Sequence, residues 1–269
     1  MVAIALGSVA LGTSGSARAE QITLSAFDYP PYMDESQAEK GLFCELVAAA
    51  YQSVGYKVSF RFYPLKRSTQ YVIAGTELGQ LGTEWNFSEE ARKNSVKSVP
   101  LFYYRVQGFY LNDHFRSIAF KTLKDLKGYR LSVIRGSSDA AVLMSHPDLN
   151  LDVEEVTTME QMFKKVYFKR SDLGFAVELS GQTYIAKHYP AERQRWSMTG
   201  DAVQGILASV VFSKRYPDSE KYISAFRAGV QRIRKDGSYL RIFEKYYGAG
   251  KVPDSVWEID RKPYLIPKE

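Results

Sequence analysis

Hydrophobic positions along this chain repeat with two periods, and the switches between them mark its elements. Residues 22 to 26, ITLSA, read as a short strand that Pro30 and Pro31 forbid from continuing. The loop FDYPPYM therefore projects Phe27, Tyr29 and Tyr32 from a strand end. Beyond Gly41, the residues Phe43, Leu46, Val47, Ala50, Tyr51 and Val54 recur at three-and-four spacing, a helix that Gly55 ends. Val58, Phe60 and Phe62 then alternate with Ser59, Arg61 and Tyr63, a period of two. Strand, helix, strand predicts a parallel βαβ unit with a right-handed crossover.

Pro64 opens a second helix, PLKRSTQYVIAG, closed by Gly75, and the segment from Gln80 to Thr83 supplies a third strand. Ser88, with Glu89 and Glu90 behind it, reads as the N-cap of a short turn that carries Arg92. From Val99 the chain is extended, and Phe102, Tyr103, Tyr104, Val106, Phe109, Tyr110 and Leu111 are strand-favouring types. The pattern then begins again: a strand at Leu131 to Ile134, Gly136-Ser137-Ser138, a helix beginning near Asp139, a strand at Val153 to Val156, a helix from Met159 to Phe168, a strand at Leu173 to Val177 and a helix from Leu179. An apolar strand at Ile206 to Phe212 precedes a long helix with Tyr222, Phe226, Val230 and Ile233 on one face, then the short helix SYLRIFEKYYG and a Pro-rich tail expected on the surface. Two α/β units, each with loops at the carboxyl ends of its strands, predict a cleft between them.

Composition adjusts this picture in three places. The 36 Lys and Arg against 30 Asp and Glu leave a net charge of +6, spread without the basic run that tracks a phosphate backbone, so no nucleic-acid partner is expected. The positive sign favours anionic ligands through steering. Cys44, the one cysteine, excludes an internal disulfide and sits in a helix pattern as a small core residue. Residues 1–19, short and apolar and ending in Ala17-Arg18-Ala19, read as a signal peptide in truncated form, since a basic n-region is missing; a disordered tail is the alternative. No cysteine follows the apolar run, so the expectation is a periplasmic protein of Gram-negative type without a lipid anchor.

Signals for catalysis are thin. His114, His146 and His188 are far apart and lack metal-ligand spacing, and no P-loop, dinucleotide glycine pattern or nucleophile elbow occurs. No catalytic residue, metal or cofactor is expected. Arg92 admits two readings: a pair with Glu89 or a solvated side chain, and a fork of two hydrogen bonds onto a ligand carboxylate at the mouth of a connection between lobes.

Five segments taken in order resemble the amino-acid-type (family 3) solute-binding proteins that serve ABC importers. They are DYPPY at 28 to 32, GLFCELVAAAYQSVGY at 41 to 56, the Glu-Ala-Arg turn before PLFYY, GYRLSVIRGSS at 128 to 138, and DGSYLRIFEKYYG at 236 to 248. The last is the most family-typical. The resemblance implies an α/β fold of the type 2 periplasmic binding protein kind, two lobes joined by two crossing strands and closing on a ligand by a hinge. Lobe one would take residues 20–107 and 205–269, and lobe two residues 108–204. It also implies a monomer that delivers a small, amino-acid-like carboxylate ligand to a membrane permease. By position, Arg92 falls where the family's carboxylate-binding arginine stands, Tyr29 where an aromatic covers the ligand, and Ser137 and Ser138 where small hydroxyl residues and backbone N–H groups meet the same carboxylate.

The chain departs from that pattern at two places. The segment before the arginine turn, GTEWNFSEEAR, is one residue longer than usual, so Thr83 would supply the hydroxyl while Glu84 and Trp85 narrow or re-charge the pocket. The family's ammonium-binding aspartate aligns with Val177, and the acid available is Glu178. Two other readings stay open. One is an enzyme on the same fold, dehydratase-like, with Glu84, Glu178 or Glu45 as a cleft acid or base; the other is a ligand sensor without a transporter.

Overall fold

The computed structural model describes residues 20–259, 264, 265 and 267–269; the expected signal peptide lies outside them. The first unit is the βαβ crossover that the periodicity predicts. Strand β1 (Glu20–Ala26) pairs in parallel with β2 (Tyr56–Phe62), and α1 (Leu42–Ser53) connects them. After α2 (Leu65–Ala74), β3 (Gly79–Gly82) lies parallel to β1 on its other side. Buried Leu42, Phe43, Cys44, Leu46, Val47, Ala50 and Tyr51 form the core face of α1.

A short helix α3 (Glu89–Asn94) leads into β4 (Val96–Leu111), which pairs antiparallel with β8 (Trp196–Ser213) along nearly their whole length. Between them in sequence lie β5 (Arg130–Ile134), α4 (Ser138–Met144), β6 (Asp152–Val156), α5 (Met159–Tyr167), β7 (Leu173–Val177) and α6 (Glu178–His188). The helices α7 (Ser219–Lys235) and α8 (Ser238–Tyr247) then return to pack on α1, and β9 (Tyr264–Leu265) adds to β8. Among the described residues the strands form one continuous sheet in the order β2-β1-β3-β8-β4-β7-β5-β6. The long pair β4 and β8 thus carries β1 to β3 on one side and β5 to β7 on the other. Register shifts in that pair fall at Pro100/Phe102, Val106/Gln107 and Gln107/Phe109, the stretch where β4 passes from one half to the other.

Both long strands exceed their sequence signal. The polar and glycine-rich run Gly200 to Gly205 has no strand pattern of its own, yet it is extended in β8 because β4 offers it a ladder of backbone partners. The tail also differs from expectation: Val256 is fully buried, its carbonyl accepting from the Tyr239 hydroxyl at 3.3 Å, so this part of the tail closes the core over α8. Helices α1 and α7 meet at Gly229, where a Cβ would stand 2.1 Å from the Ala50 carbonyl oxygen; only glycine permits that approach.

Candidate functional site

The tyrosine-rich loop after β1 is held in place by the start of α1. The first N–H groups of a helix have no partner within it, and here those of Leu42 and Phe43 donate to the carbonyls of Pro31 and Tyr32 at 3.0 and 2.8 Å. Gly41 makes this possible: its φ is 92°, and a Cβ there would lie 2.7 Å from both carbonyl oxygens. The loop closes on itself as well, Tyr29 N–H donating to Met33 O at 2.7 Å. Its rings continue those of β4: the centroids of Tyr29 and Tyr32 are 6.0 Å apart, and Tyr32 lies 5.8 Å from Phe102 and 5.5 Å from Tyr104. Burial pushes the phenols of Tyr29, Tyr32 and Tyr104 upward, so all three are neutral.

These rings form one wall of a cavity of about 420 Å³. Thr83, Trp85 and Asn86, in the turn after β3, extend that wall. The facing wall comes from the other half of the molecule: Gly136, Ser137, Ser138, Asp139 and Ala141 at the start of α4, with Val177 at the end of β7. Val106, Gln204 and Ile206 of the long strands form its floor. Three polar atoms on lining residues, Asn86 Nδ2, Asp139 Oδ2 and Gln204 Oε1, have no hydrogen-bond partner among the described residues.

Of the residues singled out in the sequence, Tyr29, Thr83, Trp85, Ser137 and Ser138 are therefore brought together around one cavity, while Arg92, Glu84 and Glu178 are not among its lining residues. Arg92 is not paired with Glu89. Its Nη1 donates to the Phe87 carbonyl at 3.1 Å and its guanidinium lies 4.5 Å from the Trp85 ring centre, while Glu89 pairs with Lys93 at 2.8 Å. Trp85 thus touches Arg92 and lines the cavity. Ser137 accepts from Ala140 N–H at 3.2 Å and Thr83 from Trp85 N–H at 3.4 Å, so both hydroxyl oxygens also serve as caps.

Glu178 is 1 % exposed and occupies a junction of the two halves. Its carboxylate lies 3.5 Å from Arg105 Nη2 and 3.5 Å from the Tyr247 hydroxyl. Burial raises its pKa, and Arg105 opposes that shift. Nearby, the Ser180 hydroxyl donates to Pro30 O at 3.0 Å and the hydroxyls of Tyr32 and Tyr247 approach to 3.4 Å. Glu45, the third acid considered for catalysis, is an α1 residue paired with Lys245 at 3.0 Å. His114 donates to or accepts from Asp172 at 3.0 Å, beside the Arg130–Asp172 pair at 2.7 Å, and among the described residues no group of His, Cys, Asp and Glu is placed to hold a metal.

Asp139 and Gln204 escaped sequence reasoning. In sequence, Asp139 is an ordinary first-turn helix acid, and only its placement beneath the Tyr29 loop marks it.

No family model and no curated protein matches the chain, but solved structures do. The GluR0 ligand-binding core from Nostoc punctiforme in complex with L-glutamate superposes with a TM-score of 0.62 at 15 % identity, covering 84 % of this chain and 99 % of that one. A histidine kinase sensor domain with similarity to periplasmic binding proteins gives 0.61 at 21 % identity, covering 86 % and 97 %. The substrate binding protein of an amino acid ABC transporter gives 0.57 at 17 % identity, covering 84 % and 99 %. The chain has the two-lobe fold of type 2 periplasmic binding proteins. In that fold, the cavity described above lies in the cleft between the lobes. No helix among the described residues is long and apolar enough to cross a membrane.

Proposed function

We propose that this chain is a periplasmic solute-binding protein that captures a small, amino-acid-like solute between two hinged lobes and presents the closed form to an ABC permease. The observation that carries the reading is the cavity itself, about 420 Å³, walled by aromatic rings from one lobe and by the start of α4 from the other. Residues 20–107 and 205–269 form lobe one in this reading and residues 108–204 form lobe two, with β4 and β8 as the hinge. Ligand contact by Tyr29, Thr83, Trp85, Ser137 and Ser138 is supported by their places in the lining. Arg92, stacked on the Trp85 ring with Nη1 bonded to the Phe87 carbonyl, would meet a ligand carboxylate through the N–H groups at the free edge of its guanidinium. The chain acts as a monomer and performs no chemistry on its ligand.

Binding to the folded state alone stabilises it by mass action, about 2.7 kcal/mol at a hundredfold excess over Kd. For a chain of this size that is a rise of about 5–10 °C in Tm. A thermal-shift series with L-amino acids, small amines and small acids at millimolar concentration is expected to contain compounds that give such a rise. A flat series would overturn the reading. The sensor alternative is favoured by the likeness to a histidine kinase sensor domain. Co-purification of the ligand-loaded protein with a permease supports transport, and neighbouring genes that encode no permease and ATPase support sensing.

A further inference from the structure

Among the described residues that line the cavity, Asp139 is the one side chain that carries a full charge. It is 7 % exposed and its Oδ2 has no hydrogen-bond partner. A buried carboxylate without a cation is costly, and such groups are ordinarily paired. Gln204 Oε1, from the floor, is a second acceptor without a donor. No arginine or lysine is among the described lining residues; Arg92 stacks on Trp85 and Arg105 pairs with Glu178. Around these acceptors stand Phe27, Tyr29, Tyr32, Phe102 and Tyr104, whose ring faces attract cations. An anion placed here could use the unpartnered Asn86 Nδ2 donor but would also meet a carboxylate and π faces, whereas a cation would complete the carboxylate, the Gln204 oxygen and the ring faces.

We propose that the solute is a small organic cation, its ammonium group held by the Asp139 carboxylate and enclosed by the tyrosine rings of the opposite lobe. This rests on the reading of the cavity as a solute site and adds the chemical class. Asp139 takes the role of ammonium partner from the other side of the cleft, on α4, while Glu178 remains bound to Arg105 and Tyr247. A ligand carboxylate is dispensable for binding.

The prediction separates matched probes. Calorimetric titration with agmatine, putrescine, tyramine and choline is set against succinate and 4-hydroxyphenylacetate, which carry no amine. At least one cation is expected to bind tenfold or more tightly than either acid, and Asp139→Asn to weaken that binding by tenfold or more. Choline, whose charge does not titrate, gives a second readout. Burial raises the Asp139 carboxyl to about 6, opposed by its own backbone N–H and the Ser137 hydroxyl; the Tyr29 phenol, neutral at these pH values, faces it. Choline affinity should therefore fall as pH drops through about 6 in the parent protein and stay level in Asp139→Asn. If Asp139→Asn does not fold, Ala141→Lys, at an exposed lining position on the same helix, is expected to abolish cation binding by supplying the missing counter-charge. Binding of the acids without the cations, or cation binding indifferent to both variants, overturns this inference and leaves the solute-site reading standing. Absence of binding by every probe overturns this inference, while the solute-site reading falls only with a flat thermal-shift series.

Discussion

The two walls of the cavity are built differently, and the difference separates what holds the fold from what selects the ligand. On the lobe-one wall, Tyr32, Phe43 and Phe102 are 2 %, 2 % and 1 % exposed and belong to the hydrophobic core, so the residues that line the cavity also keep α1 on the sheet. On the lobe-two wall, Ser137, Ser138 and Asp139 sit at the start of the seven-residue helix α4. The first wall supplies area and excludes water, and it has little freedom to vary. The second supplies charge and hydrogen-bonding groups on a small element whose replacement disturbs little else.

The largest expected contrast comes from truncating each wall. Tyr32→Ala should cost about 3–5 kcal/mol of stability, the range for emptying a buried aromatic site, and a denaturant titration reads it directly. Ser138→Ala, at an exposed position on the other wall, should stay within about 0.5 kcal/mol in the same measurement. Comparable losses at both positions would show that the walls are not divided in this way.

Asp139→Asn comes next and should stabilise the unliganded protein. The folded-state carboxyl is raised to about 6 by burial, above its value in the unfolded chain. Its ionisation therefore works against folding: stability is lost as pH rises from about 4 towards 6 and stays lost at neutral pH. Removing that group should return about 1–3 kcal/mol at pH 7 and almost nothing at pH 4, where the parent carboxyl is already protonated. Thermal melts at the two pH values check the sign. A variant less stable than the parent at pH 7 would mean that Asp139 contributes to the fold after all.

Trp85→Ala should cost little stability, about 0.5–1 kcal/mol, since the indole is 57 % exposed and loses chiefly its contact with Arg92. Its effect on selectivity should be clearer. With the guanidinium uncovered, succinate is expected to bind several-fold more tightly than to the parent, and an unchanged affinity would remove Arg92 from any role at the cleft.

The fold was largely readable because its local signals agree with one another. The three-and-four pattern from Phe43 to Val54, the alternation from Val58 to Tyr63 and the Ser88 cap all appear where expected, as α1, β2 and the Ala91 N–H bond to Ser88 Oγ at 3.2 Å. What could not be read were features made by distant partners. The strand character of Gly200 to Gly205 comes from β4, and the close approach at Gly229 exists only because α7 returns to α1. The site followed the same division. Tyr29, Thr83, Trp85, Ser137 and Ser138 sit on loops at strand ends, where position along the chain already points to the cleft. Arg92 was a local inference about a three-dimensional neighbour, and its stacking on the Trp85 ring could not be read from the turn alone. Asp139 was the converse case: an ordinary helix acid in sequence, distinguished only by the loop that covers it.

The central claim is that one small molecule is gripped by both walls at once. A crystal structure of the protein with whichever compound gives the largest thermal shift tests this most directly. The molecule is expected between Tyr29 and Asp139, touching residues of both lobes, with its cationic group at the Asp139 carboxylate. Density for the compound on one lobe alone, or outside the cavity, would contradict it.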